Sequence, residues 1–172
     1  ATVYAQDCHA RIGNDATEYT SVQAAVDAAA PGALVKVAGT CMGVGGREGA
    51  RQQVYLEWKS ISIQGGYTVA NWITPDPVAN PTTLDARGLG RVFFIYQPPV
   101  TDTTLIDGLR MIGGNAYGQV GGHSPIQRES SAGGAVYIFG GGENFTLSDC
   151  QILSSTAAGE GGGMYTSFTD GH

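Results

Sequence analysis

Two parts of this chain repeat each other's apolar pattern at fixed distances, and this repetition restricts the possible folds more than any other feature. Residues 106–116 align with residues 147–157 at an offset of 41, with apolar side chains coinciding at 106/147, 109/150 and 111/152. Residues 133–138 align with residues 161–166 at an offset of 28, and both segments begin with two glycines. Repetition of this kind indicates stacked units rather than a closed barrel.

The two offsets differ by 41 − 28 = 13 residues, which predicts an insertion of 13 residues in the first copy. The insertion falls within residues 117–132, a stretch rich in turn-forming residues that is typical of a surface loop. The repeating unit is then about 28 residues long. We expect the loop to contact partners, with four interaction candidates: Tyr117, His123, Arg128 and Glu129.

The rest of the chain reads as one short helix followed by short strands. Residues 20–30 have valines four apart and alanines on the same face, with Thr20 and Gln23 as a capping box and Pro31-Gly32 as a stop. Later apolar runs of three to six residues are rich in β-branched and aromatic side chains and are separated by turn residues. Without later helices, a doubly wound fold is excluded, which leaves a sandwich, an antiparallel barrel or a solenoid.

The repeats favour the solenoid. We therefore predict an all-β fold, a right-handed parallel β-helix, in one domain spanning residues 1–172. Residues 1–32 would form an N-terminal cap with the helix at about 20–30, and residues 33–172 would form stacked turns.

Charge and composition exclude some functions. Only 14% of the residues are charged and the net charge is −6, so no basic surface is available for nucleic acid or anionic lipid. No apolar run of about 18 residues predicts membrane insertion. The start at Ala1 and the presence of only two lysines favour an exported chain, so we expect a secreted, extracellular or cell-surface location.

Three cysteines allow three alternative pairings with one thiol left over. Cys8 with Cys41 is the preferred disulfide because both flank the predicted helix in the N-terminal quarter. Cys150 lies in a repeated strand whose equivalent positions are apolar, and is interpreted as a small buried hydrophobic residue.

Several segments resemble a known group of proteins. Residues 133–136 read Gly-Gly-Ala-Val and recur in similar form at 161–164. This pattern is similar to the repeats of bacterial polymorphic outer-membrane proteins and related pectin-lyase-like β-helix surface proteins, in which GGA precedes Ile, Leu or Val. Residues 20–37, 60–67 and 80–88 also resemble the early turns of such domains. The resemblance runs from about residue 19 to the C-terminus and implies a β-helix at a bacterial surface.

No pattern in the sequence indicates catalysis. The acidic residues are scattered singly, without the close pair that a glycosidase needs or the cluster that would bind calcium. His9, His123 and His172 have no metal-ligand spacing, so no metal or cofactor is predicted. The aromatic residues are interpreted mainly as core and stacked ladders, with a sugar-binding strip as the alternative.

The C-terminal end is the other predicted contact region, with Met164, Tyr165 and Phe168 as interaction candidates. No helix is predicted to cap the last strand, so its edge would be open to another strand. The chain would be either part of a longer solenoid or a unit that stacks end to end into a filament. We expect a non-catalytic structural or adhesive surface module, with surface glycans as possible partners. The alternative is a carbohydrate-binding or polysaccharide-cleaving domain.

Overall fold

The structure is a computed structural model that describes residues 7–96, 103–119, 131–140 and 144–167. Within these residues there are one helix and thirteen strands. In chain order they are β1 (Asp7–Ile12), α1 (Val22–Ala28), β2 (Leu34–Met42), β3 (Gly45–Arg47), β4 (Ala50–Glu57), β5 (Ser62–Tyr67), β6 (Thr82–Asp85), β7 (Arg91–Tyr96), β8 (Thr104–Asp107), β9 (Leu109–Ile112), β10 (Val136–Phe139), β11 (Phe145–Ser148), β12 (Gln151–Leu153) and β13 (Met164–Ser167).

The strands form two sheets. The larger sheet has eight strands in the order β11-β8-β5-β2-β6-β9-β12, with β1 paired antiparallel to β2. The smaller sheet has the order β13-β10-β7-β4-β3, in which only β3 runs antiparallel to its neighbour. The larger sheet curls into a half-barrel. Its two outermost strands, β11 and β12, are consecutive in the chain and are linked by Asp149 and Cys150.

The prediction of an all-β right-handed parallel β-helix is wrong. Such a solenoid would place its strands in three separate parallel ladders, whereas the structure has a curled mixed sheet, a second sheet and a helix, an α/β-type arrangement. The reason lies in β2, which is nine residues long. Its first half pairs with β5 and its second half with β6, so two rows of strands merge into one sheet.

The strand pairs implied by the sequence repeats are nevertheless present. Ile106 pairs with Leu147, and Val136 pairs with Met164, as the offsets of 41 and 28 predict. A repeating unit of about 28 residues is also present elsewhere, since Val35 pairs with Ile63, an offset of 63 − 35 = 28, and Leu84 pairs with Met111, an offset of 111 − 84 = 27. It does not hold for the pairs of β4 with β7 and of β7 with β10. Val54 pairs with Phe93, an offset of 93 − 54 = 39, and Phe93 pairs with Val136, an offset of 136 − 93 = 43.

Helix α1 is shorter than predicted. Ser21, not Thr20, is the N-cap, and its side-chain oxygen accepts a hydrogen bond from the Ala24 amide at 3.1 Å. The helix ends at Ala28 because Ala29 has an extended backbone. Lys59 donates to the carbonyl oxygens of Val26 and Ala29 at 2.9 and 2.6 Å, which satisfies groups that the helix leaves without partners.

The main core lies between the two sheets and α1. Side chains in register form continuous apolar rows, such as Val35, Ile63 and Ile106 across β2, β5 and β8, all fully buried. The predicted disulfide between Cys8 and Cys41 is present, and it links β1 to β2. Cys150 is a free thiol, half-buried against the core. No helix in the described part of the chain is long and apolar enough to cross a membrane.

Candidate functional site

In the part of the chain that the structure describes, the last strands of the two sheets at one end are β11, β12 and β13, and we call the surface that they form the C-terminal edge. Each is an outermost strand of its sheet: β11 pairs with β8, β12 pairs with β9, and β13 pairs with β10. Asp149 and Cys150 link β11 to β12, and all three strands come from the single segment 145–167. The last strands of both sheets therefore belong to the same end of the molecule.

Apolar side chains at the C-terminal edge are less buried than their partners one strand further in. Met164 is 41% exposed, whereas Val136, with which it pairs, is fully buried. Leu147 and Ile152 are half-buried, and their partners Ile106 and Met111 are fully buried. The edge thus leaves part of the apolar core accessible.

The C-terminal edge also lacks the features that usually protect a sheet edge. Residues 145–148, 151–153 and 164–167 contain no charged residue and no proline. Exposed edge strands generally carry such residues, because free backbone N–H and C=O groups otherwise pair with another strand. The chemistry of this surface favours strand pairing.

The opposite end of the sheets is covered. Strand β1 pairs along β2, and β3 pairs with the first part of β4. Beyond β3, the Gln23 side chain accepts a hydrogen bond from the Tyr55 amide at 2.5 Å and donates to the Tyr55 carbonyl oxygen at 3.1 Å. One side-chain amide therefore takes the place of a neighbouring strand, a role that the sequence did not reveal.

The predicted interaction candidates are only partly described. Met164 is exposed on β13, and Tyr165 beside it is half-buried because its ring stacks on Tyr137 at 5.5 Å. Tyr117 is 73% exposed at the start of the predicted loop. The structure does not bring Tyr117 and β13 into one site. Four further candidates lie outside the described residues: His123, Arg128, Glu129 and Phe168.

The predicted loop at residues 117–132 is anchored at both described ends. The Gln119 side chain accepts a hydrogen bond from the Arg51 amide at 2.8 Å. At the other end, Ala132 is buried and its carbonyl oxygen accepts from two nitrogens of the Arg91 side chain, each at 3.0 Å. Arg91 is fully buried, and burial lowers its pKa to about 10, so it stays charged at neutral pH. No sequence signal distinguishes this arginine from a surface residue.

Several of the aromatic residues that suggested a sugar-binding strip pack against other aromatic rings instead. Tyr55, Phe94 and Tyr137 are nearly buried and stack on one another, with ring centroids 5.4 and 5.0 Å apart. Their ring faces are therefore occupied by neighbouring rings. Trp58 is the exception, since it is largely exposed and contacts Tyr96 only edge to face.

The titratable groups do not assemble into a metal site in the part of the chain that is described. That part holds no group of three or more His, Cys, Asp or Glu residues placed to bind a metal ion. Burial raises the pKa of the Cys150 thiol, which keeps the sulfur protonated and a poor nucleophile.

His9 on β1 belongs to a small charged cluster with Asp7 and Glu18. It contacts Glu18 through Nδ1 and Asp7 through Nε2 at 2.8 Å, and hydrogen bonds to these carboxylates raise its pKa. Because the folded pKa exceeds the unfolded one, the stabilisation is complete below pH about 6.5 and is lost as the pH rises through the folded value. The cluster is partly exposed, so the effect is small.

We therefore expect His9→Gln to lower the free energy of unfolding by less than about 1 kcal/mol at mildly acidic pH, and by less still at alkaline pH. Guanidinium unfolding of both proteins at mildly acidic and mildly alkaline pH measures the difference. An equal cost at the two pH values would show that protonation of His9 contributes nothing.

Comparison of the chain with family models, with curated proteins and with solved structures finds no match. The resemblance to surface-protein repeats at residues 133–136 and 161–164 therefore stays a prediction.

Proposed function

We propose that this chain is a non-catalytic structural or adhesive module that works outside the cell, and that two copies associate through their C-terminal edges. The observation that carries the proposal is the C-terminal edge itself, where strands without charge or proline leave part of the apolar core accessible. The disulfide between Cys8 and Cys41 supports an oxidising, extracellular environment.

A second copy suits this surface for electrostatic reasons. The chain has a net charge of −6, so two copies repel each other over most of their surfaces. The strands of the C-terminal edge carry no charge themselves, and Asp149 is the one acidic residue among residues 145–153, so contact there meets less repulsion. A two-fold contact needs only one self-complementary surface.

The geometry favours a pair over an end-to-end filament. A filament would require open strand edges at both ends of the molecule. In the residues that the structure describes, β1 and β3 already occupy the opposite end, together with the Gln23 side chain. In the proposed pair, the C-terminal edges of two copies face each other.

The proposal predicts a concentration-dependent dimer. Size-exclusion chromatography with light scattering of the disulfide-bonded chain should give twice the chain mass at high concentration. Leu153→Lys combined with Met164→Lys should weaken the association by at least about 100-fold, because both side chains are 41% exposed at the edge and lysine disfavours strand pairing.

Ile73→Lys is the matched control. Ile73 is 86% exposed, and it lines a cleft with Arg11 and Lys36 on β1 and β2, away from the C-terminal edge. This variant should dimerise like the unmodified chain. A monomeric mass at every concentration, or equal weakening by Ile73→Lys, would contradict the proposal.

A further inference from the structure

A groove of about 730 Å³ lies beside the C-terminal edge. One side is formed by Pro77, Val78 and Pro81, in the segment that joins β5 to β6. The other side is formed by residues 108–110, where β9 begins, and by residues 149–151, where β11 leads into β12. Because residues 149–151 connect two strands of the C-terminal edge, a second copy that contacts this edge also contacts the groove.

The groove contains one positive and one negative side chain. Arg110 is half-buried and Asp149 is exposed, and no other described residue that lines the groove is charged. Neither side chain forms an ion pair with another described residue. This differs from Arg47, which donates to Asp27 at 2.9 and 2.8 Å. Neither charge in the groove is therefore balanced by a salt bridge within the described part of the chain.

The strands place both charges near the edge. Arg110 pairs in register with Gln151, so Arg110 lies on β9, directly behind the edge strand β12. Neighbouring strands are about 4.8 Å apart, a distance that a long arginine side chain spans. Asp149 lies in the turn between β11 and β12, at φ 47°, a conformation that aspartate tolerates better than most residues. Both charged groups are thus within reach of a molecule that docks on the C-terminal edge.

Symmetry limits how these charges meet in a dimer. In a two-fold contact, a residue that faces a different residue of the other copy forms that contact twice, because the reverse contact follows by symmetry. Arg110 facing Arg110, or Asp149 facing Asp149, would bring like charges together and oppose association. Arg110 facing Asp149 gives two attractive contacts instead. Only this last arrangement is favourable on electrostatic grounds.

We propose that Arg110 of each copy forms an ion pair with Asp149 of the other copy, and that these two reciprocal contacts make the chain recognise itself. The inference rests on the proposed dimer and identifies the residues that fix its orientation. It also removes the repulsion that Asp149 would cause, since the acidic residue of the edge meets a positive charge in the second copy. Charge pairs at an interface fix the partner and the register more than they raise the affinity.

Charge reversal tests this inference, with the dissociation constant of the disulfide-bonded chain measured by analytical ultracentrifugation at constant ionic strength. Arg110→Asp and Asp149→Arg should each weaken dimerisation at least about 10-fold, because each places like charges opposite each other twice in the dimer. The variant that carries both changes should dimerise within about 3-fold of the unmodified chain. Its net charge stays at −6, so overall repulsion does not affect this comparison.

An equimolar mixture of the two single variants gives a second test. One chain then carries two positive charges in the groove and the other carries two negative charges. Heterodimers should form at concentrations at which each variant alone is monomeric. Arg51→Asp is the matched control, since it changes the net charge as Arg110→Asp does but lies on β4, three strands away from β13. It should weaken dimerisation by less than about 3-fold.

Two results would overturn this inference and leave the dimer itself intact. One is dimerisation of both single variants with the affinity of the unmodified chain. The other is a double variant that stays as weak as the single ones, together with a mixture that forms no heterodimer. A monomeric unmodified chain would be a different outcome, because it would contradict the proposed function and with it this inference.

Neutral substitutions keep the test available if Asp149→Arg does not fold. Arginine is compatible with such a backbone in this chain, since Arg87 has φ 57° and Asp149 has φ 47°. The alternative variants are Arg110→Gln and Asp149→Asn, singly and together. If the two residues pair across the dimer, the double variant should lose no more affinity than either single one, and losses that add would overturn the inference.

Discussion

Replacing Cys8 and Cys41 with alanine is expected to lower the free energy of unfolding by about 4 kcal/mol, the value for a closed loop of this size. The disulfide spans 33 residues, including all of α1. Without it the unfolded chain gains conformational freedom, while both positions remain deeply buried in the folded state. The loss corresponds to a fall in melting temperature of about 10 °C for a chain of this length.

Guanidinium unfolding at neutral pH, followed by circular dichroism, measures this effect. Cys150→Ala is the control, since Cys150 forms no disulfide and is only half-buried. It should cost less than about 2 kcal/mol, as expected for a small truncation at a partly exposed site. Equal losses for the two variants would mean that the disulfide contributes nothing beyond ordinary packing.

Gly134→Ala is the second substitution with a large expected effect, about 3 kcal/mol or more of destabilisation. A Cβ atom at this position would lie 2.0 Å from the Gly162 carbonyl oxygen and 2.4 Å from the Thr156 carbonyl oxygen. Both obstacles are backbone atoms, so no side chain can move aside to make room. The segments would have to separate, which would disturb the pairing of β10 with β13.

Thermal unfolding by calorimetry tests this expectation, with Gly46→Ala as the control. A Cβ at Gly46 meets no atom within 4 Å, and Gly46 does not have a positive φ. Its substitution should be neutral or slightly stabilising, because alanine restricts the unfolded chain. A similar melting temperature for both variants would contradict the close approach at Gly134.

The repeated glycine pairs predict which segments are equivalent but not why glycine is needed there. The sequence predicted that residues 133–138 and 161–166 are equivalent, and the structure pairs Val136 with Met164 in parallel strands. The physical basis of the pattern is visible only in three dimensions. Gly133 and Gly161 both have φ near +64°, and a Cβ at Gly134 would meet the next segment.

The helix also separates what local sequence predicts from what only distant contacts decide. Its position follows from local spacing, and both ends of the observed helix, Val22 and Ala28, lie within two residues of the prediction. Gln23 was expected to complete a capping box, but its amide pairs with the backbone of Tyr55 instead. A contact between residues 32 positions apart has no local signature, and here it outweighs the local alternative.

The wrong fold prediction has a similar cause. Parallel pairing of the repeated segments is correct for Ile106 with Leu147 and for Val136 with Met164. Repetition alone does not reveal that β2 is long enough to pair with β5 and β6 at once. The length of one strand thus decides whether the rows remain separate ladders or merge into a curled sheet.

The sequence by itself determined the helix, the positions of the repeated strands and the cysteine pair, because each depends on residue types at short or regular spacing. Only the tertiary structure decided the arrangement of the sheets and the burial of Arg91. These features arise where segments far apart in the chain meet. Their energies depend on which backbone and side-chain groups are left without partners after packing.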